Sequence, residues 1–451
     1  MHENCVPREE FDRVVSQLRA ENEVLRVRVR ELEALLERFV GPHAPPSTRE
    51  VRYPRREPTG NPVGKPKGAP GATRKLEHRK PDETKQIKPE KCRRCRHKLG
   101  EPVGWVKQFV EEIPEPQPTR LIEFQKGICI CPSCGAENVA TDSRCPTSGE
   151  IGPRALALAQ ELRFRERLSV VMARRVLRER YGLKVSSGAV LDMTSRTARM
   201  LRGAQNALVM RVRGSKTVYV DETGFYINGV RVWLWIFTTE RDALVVIERS
   251  RASKVPRRIL GEHYAGTIVC DCYSAYDLLK KRLQKAKFQK CWAHLLREAK
   301  ACAQHFEEGR ALYTELCAFY GGMSGFLKEA PQPDIRDTEF RAALAWLDRL
   351  LANEPKEPRV VRLLKRLRKH REDWFTCIAV PNVEPTNNRA ERGLRPQVIL
   401  RRLRGSLRSE RGKEDHQVVT SLMASWELQG MDPTLQLENE LCEVFSQGGP
   451  M

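Results

Sequence analysis

Ten prolines stand between Gly41 and Glu90, interleaved with glycines and basic residues. Proline fixes φ and lacks a donor, and glycine raises the entropy cost of ordering, so this stretch holds neither a helix nor a strand ladder. The chain must therefore be assembled from separate pieces on either side of a linker spanning 41–90. Charge collects in the same place. Of a formal net charge of +22 over 451 residues, the stretch 51–98 carries 16 Lys or Arg against 5 Asp or Glu. Concentrated positive charge on an extended backbone suits a polyanion, and contact with phosphates is the expected use.

The 451 residues correspond to about two to four domains. No run of about 18 apolar residues exists, which excludes a membrane-spanning helix. The charged segment Met1–Glu10 lacks the apolar stretch of a signal peptide. Fourteen unevenly spaced cysteines point to metal binding more than to a disulfide framework. The expectation is a reduced, cytoplasmic and nucleoid-associated setting with no membrane partner.

Residues 8–40 carry heptads. Phe11, Leu18, Leu25, Leu32 and Phe39 recur every seventh position, with Val15, Asn22, Val29 and Leu36 four after the first four. Such a seam predicts a coiled coil, and Asn22 at an a position favours a registered parallel dimer, so a homodimer or higher oligomer is expected. The alternative is an amphipathic helix docked on its own protein. Over 91–146, Cys92-x-x-Cys95 and Cys131-x-x-Cys134 present two pairs of thiolates. Two such knuckles close a tetrahedron around a structural Zn²⁺, predicting a zinc-ribbon-like domain. The stretches 105–113 and 121–130 read as strands of a hairpin between the knuckles. Cys129, Cys145 and His97 are spare ligand candidates, and four unrelated cysteines are the competing reading.

Residues 150–213 have helical periodicity. A break at Tyr181–Gly182 and a restart at Ser186–Gly188 resemble a helix-turn-helix, a pattern that plain helix packing also explains. From residue 214 to 430 the text alternates. Lys216–Val220 reads as a strand ending at Asp221, followed by strands at 231–238 and 243–247, a helix-capable 254–263, and strands at 266–270 and 287–292. This order is that of a ribonuclease-H-like sheet, in which Asp221 and Asp271 project from adjacent strands toward one point. A helical insertion spans about 295–378, and the tail 431–451 follows the core. The fold class is therefore multidomain α+β: coiled coil, zinc domain, helical DNA-binding region, and an interrupted ribonuclease-H-like core.

A third acid, Glu391, sits in Pro385–Pro396, where Thr386 or Asn387 caps a helix that Pro396 is expected to end. Asn388, Glu391 and Arg395 then share one face, a carboxylate between an amide and a guanidinium. Eight Lys or Arg lie between Arg392 and Lys413, reading as a phosphate-binding flank.

The blocks VDETGF, DCYSAYD, CWAHLLREAK and EPTNNRAERGLRP resemble the signature blocks of the insertion sequence 66 family of transposases. The resemblance covers nearly the whole chain and implies a DDE-type enzyme that cleaves and transfers DNA strands at element ends. Its partners would be double-stranded DNA and helper proteins encoded by the same element. Matched position by position, Asp221, Asp271 and Glu391 are the catalytic acids, holding two Mg²⁺ ions. Asn388, Arg392, Arg395 and His294 would contact DNA, and Cys92, Cys95, Cys131 and Cys134 would hold zinc. Glu222 and Asp277 read as turn or supporting groups. Two other functions fit the same residues: a ribonuclease-H-like nuclease or resolvase without strand transfer, and a zinc-dependent DNA-binding regulator with an inert core.

Overall fold

The computed structural model describes residues 13–18, 20–29, 80–110, 118–146 and 148–447. Most of the linker and the heptad positions Phe11, Leu32, Leu36 and Phe39 lie outside them. Two compact units divide the chain: 51–118, and 1–50 together with 119–451.

Residues 13–18 and 20–29 are helical (α1), with the seam residues Leu18, Leu25 and Val29 exposed. In the smaller unit, Cys92 N donates to His97 O at 2.8 Å and Arg96 N to Cys92 O at 2.9 Å, closing a tight turn. Arg96 takes a left-handed φ of 65° there. The strand expected over 105–113 is absent from its described part, 105–110. Val103, Val106 and Val110 are exposed, so no facing strand buries them. The second knuckle repeats the first: Cys131 N bonds Ala136 O, Gly135 N bonds Cys131 O, and Gly135 has φ 73°. Here β1 (Ile128–Ile130) pairs antiparallel with β2 (Glu137–Val139). Only the last three residues of the expected 121–130 strand are ordered as strand, because the partner follows Cys134. The hairpin therefore encloses the second knuckle and does not lie between the two.

Next come α2 (Pro153–Gln160), a π-turn at Glu161–Arg165, α3 (Val170–Tyr181), α4 (Ser187–Met200) and α5 (Arg202–Gly214). Ser169 caps α3, Gly182 ends it at φ 67°, and the Ser186 hydroxyl accepts from Ala189 N to start α4. Two helices separated by a break occur over 176–197, where a helix-turn-helix is expected, and Val190, Met193, Thr194, Thr197 and Ala198 of the second are buried.

The sheet holds β3 (Thr217–Ile227), β4 (Val230–Thr238), β5 (Ala243–Glu248), β6 (Thr267–Cys270) and β7 (Lys287–Lys290), with α6 (Lys254–Leu260) and α7 (Ser274–Arg282) between the later strands. Its order is β5-β4-β3-β6-β7, antiparallel across β3–β4–β5 and parallel across β3–β6–β7. β3 does not stop at Val220. It runs on to an Asn228-Gly229 turn with φ of 46° and 77°, the pair a two-residue hairpin favours, so Asp221 lies in mid-strand. Side chains alternate strictly. Val218, Val220, Trp235 and Phe237 enter one core with α2–α7, while Tyr219, Phe225, Leu234 and Ile236 enter a second on the opposite face.

That second core is built by α8 (Trp292–Ala303), α9 (Glu307–Lys328), α10 (Pro333–Leu351), α11 (Pro358–Lys369) and α12 (Thr376–Ala379), then α13 (Asn388–Arg404). The buried Trp292 and Phe375 meet the half-buried Phe319 and Trp346 at its edge, with Phe319 and Trp346 stacked at a ring-centre distance of 3.9 Å. Pro396 lies inside α13 and does not end it; the Asn387 side chain makes no cap bond and reaches Val220 O instead, at 2.9 Å. α14 (Glu410–Leu428) and α15 (Pro433–Ser446) complete the fold.

Both sheet edges are covered. Along β5, the N–H groups of Ala243, Val245 and Ile247 donate to Ser425, Ser421 and Gln417, a row at helical spacing four on α14. Along β7, Lys290 N donates to Asp373 O, and Cys377 N donates to Gln289 Oε1 at 2.7 Å. An edge strand left open would expose a pairing template; here side chains take its place. Among the described residues no helix is long and apolar enough to cross a membrane.

Candidate functional site

The parallel register sets the first two acids. Thr217, Val218 and Tyr219 face Thr267, Ile268 and Val269, so the same offset brings Asp271, one residue past β6, beside Asp221. Both residues have the parity of Tyr219 and Val269, whose side chains enter the α13 core. Glu222 has the opposite parity and turns away. Its carboxylate is buried against Arg251 (2.8 Å) and the Tyr276 hydroxyl (2.7 Å). Arg251 also stacks on Tyr273, 3.9 Å from the ring centre, and Tyr273 N donates to Asp271 Oδ1 at 2.8 Å. Glu222 is thus a supporting group, as expected from its position.

α13 is brought to the pair by the overhang of β3. Past Val220 that strand has no β6 neighbour, and its carbonyls are taken by Asn387 (Val220 O), Arg401 (Gly224 O) and the Leu407 amide (Tyr226 O). Gly393 allows the close approach: a Cβ there would sit 2.5 Å from Ile236 Cδ1, and Ile236 is the cross-strand partner of Asp221. Glu391, in the first turn of α13, is held over the same face.

Electrostatics reports the result. Burial holds the Asp221 carboxyl well above the usual carboxylate range, and the negative charges of Glu222, Asp271 and Glu391 raise it further. Burial and Asp271 push Glu222 up to about 7. The charges of Asp271 and Glu391 thus both act on Asp221, and the buried Oε1 of Glu391 accepts no hydrogen bond. Among the described residues the ligand atoms of Asp221, Asp271 and Glu391 do not all lie within 4.8 Å of one another, though a hard divalent cation beside Asp221 would offset the negative charge pressing on it. The fully buried Lys290 braces the floor from below, donating to Asp271 O at 3.1 Å.

His294, in the first turn of α8, places Nε2 3.6 Å from Glu391 Oε1, and Arg297 lies 3.9 Å from the same oxygen. Asn388, Arg392 and Arg395 are exposed on α13, around Glu391. Asp277 pairs with Lys369 at 2.6 Å. Among the described residues, Cys291, His294 and Glu391 bring their ligand atoms within 4.8 Å of one another. Cys291 and His294 stand three positions apart in the chain, while Glu391 comes from a distant segment. Arg251 carried no local signal, since its role depends on Glu222 and Tyr273 meeting it from other elements. At the two knuckles, backbone amides lower the Cys92 and Cys131 thiols, as thiolate ligands require.

Residues 148–415 match the family model described as Transposase IS66 family. A protein of Sinorhizobium fredii (strain NBRC 101917 / NGR234), named uncharacterized protein y4qI, is 24% identical over 305 residues, 60% of this chain and 55% of that protein. The chain thus spans about half the length of that curated relative.

Proposed function

We propose that this chain, which belongs to the IS66 family of transposases, cleaves and transfers DNA strands at the ends of an insertion element. The observation that carries the reading is the meeting of three acids from β3, β6 and α13 in one field, felt at Asp221, inside the family match. The strand order β5-β4-β3-β6-β7 supports a ribonuclease-H-like catalytic core around them.

Asp221 and Asp271 would hold the cations, one of the two bridging, and Glu391 would complete one ion's ligands. Bound there, two Mg²⁺ ions stabilise the charge that develops on the attacking and leaving oxygens of a phosphodiester. His294 stands where it can contact a scissile phosphate or orient a water. Asn388, Arg392 and Arg395 line the approach on α13 and suit backbone phosphates. The exposed seam of α1 supports dimerisation, and each knuckle turn supports zinc binding by its own pair of thiolates, Cys92 with Cys95 and Cys131 with Cys134. Double-stranded DNA is the partner, and the basic linker is expected to add non-specific affinity.

The experiment is incubation of full-length protein with element-end DNA and Mg²⁺. Strand joining is expected, and Asp221→Asn, Asp271→Asn and Glu391→Gln each abolish it while DNA retention persists. Cleavage without joining would favour a nuclease or resolvase, and retention without cutting a DNA-binding regulator.

A further inference from the structure

We infer that Cys291, His294 and Glu391 form a site for a thiophilic divalent cation of the zinc class, and that a cation held there withdraws Glu391 from the Mg²⁺ pocket. The three residues come from two helix starts that face each other. Cys291 is the residue before α8, His294 lies one turn in, and Glu391 lies in the first turn of α13. Their ligand atoms all fall within 4.8 Å of one another. With metal–ligand bonds of about 2.0–2.3 Å, the edges of a tetrahedral site measure roughly 3.5 Å. The His294 Nε2 to Glu391 Oε1 separation is 3.6 Å, already such an edge.

Burial pushes the Cys291 thiol up to about 11, so a bound cation would displace its proton. Cys291 Sγ accepts from Asn387 N at 3.1 Å, and the amides of His294 and Ala293 also face the sulfur. Those bonds anchor the sulfur in one orientation, as the groups behind metal ligands commonly do. Glu391 Oε1 is buried and accepts no hydrogen bond. One sulfur, one imidazole nitrogen and one carboxylate oxygen make a poor set for Mg²⁺, which prefers oxygen alone, and a good one for Zn²⁺. Three protein ligands leave a fourth position open, unlike a closed structural zinc site. Because Glu391 belongs to both groups, the two occupancies compete. The competition rests on the transposase reading; the site itself does not.

The test counts metal before it measures activity. Full-length wild type, Cys291→Ser and His294→Gln are stripped of metal, equilibrated with Zn²⁺, desalted and assayed for bound zinc. Each variant should hold one equivalent fewer than wild type; equal counts overturn the site. Cys291 is nearly fully buried, so if its serine variant fails to fold, the half-buried His294→Gln decides alone. With Co²⁺ in place of Zn²⁺, the sulfur-to-cobalt charge-transfer band should weaken in Cys291→Ser, and an unchanged band counts against the site. Next, Zn²⁺ is added to wild-type cleavage reactions at fixed Mg²⁺. A tenfold or greater slowing that excess Mg²⁺ reverses is expected. No slowing, or slowing that Mg²⁺ does not reverse, overturns the competition. If wild type cuts no DNA in Mg²⁺ alone, the transposase reading fails while the zinc count still judges the site.

Discussion

Gly393→Ala tests whether the closeness of α13 to the sheet is what holds Glu391 in place. The added Cβ would lie 2.5 Å from Ile236 Cδ1 and 3.3 Å from Thr238 Oγ1, against ordinary contacts of 3.4–4 Å. Ile236 is 1% exposed, so it has nowhere to turn. Relief requires α13 to rise by about 1 Å, and misplacement on that scale at a reacting group costs about 10²-fold in rate. Two stability effects oppose each other. Alanine favours the helix over glycine by about 1 kcal/mol, while overpacking a tight core costs about 1–3 kcal/mol. The net is a loss of about 0–2 kcal/mol, too small to decide alone. The decisive measurement is a double-mutant cycle with Ile236→Val, which removes Cδ1 and leaves Cγ1 at an ordinary 3.7 Å. That substitution alone costs about 0.5–1.5 kcal/mol as a cavity. Combined with Gly393→Ala it should restore single-turnover cleavage and most of the stability, a coupling of at least about 1 kcal/mol. Gly393→Ala with wild-type rate and a gain near 1 kcal/mol, or strict additivity in the pair, would refute the reasoning.

Three further outcomes follow from the structure. A carboxyl raised from 4.5 to about 7 at Glu222 favours the folded state while protonated; that stability is lost as pH rises from 4.5 through about 7, a difference on the order of 3 kcal/mol. Denaturant melts in EDTA at pH 5 and pH 8 should show the loss in wild type and a flatter profile in Glu222→Gln; parallel profiles would exclude it. Cys92→Ser or Cys131→Ser should release zinc, measured by elemental analysis, and wild type with no bound zinc would sink the knuckle assignment. Ser421→Ala leaves the buried Val245 amide on the β5 edge without its acceptor, a cost of about 1–3 kcal/mol in thermal melts with faster amide exchange at Val245; an effect below about 0.5 kcal/mol would mean water replaces the hydroxyl.

Much of the architecture was legible from local pattern. The apolar run 232–237 and the β-branched 217–220 mark strands by composition, and the Ser186 start and Gly182 stop mark the helix-turn-helix. The errors have physical causes. Val103, Val106 and Val110 look like strand residues, yet a strand exists only where a partner supplies its hydrogen bonds. Pro396 looks like a helix end, yet α13 continues past it with Gln397, Leu400 and Arg401 packed on the protein. Tertiary packing outweighs the cost of one interior proline.

What the sequence by itself determined is the set of parts: a proline-rich basic stretch, heptads, cysteine pairs, and three acids in order along a core of alternating strands. Period and composition are local, and side-chain parity in a strand needs no partner to be read. Only the tertiary structure decided the meetings. The 50-residue register offset between β3 and β6, the overhang of β3 that α13 fills, the serine row on α14 and the approach of Cys291 and His294 to Glu391 all join residues distant in the chain. Each depends on which surfaces bury one another, a property that no single segment carries.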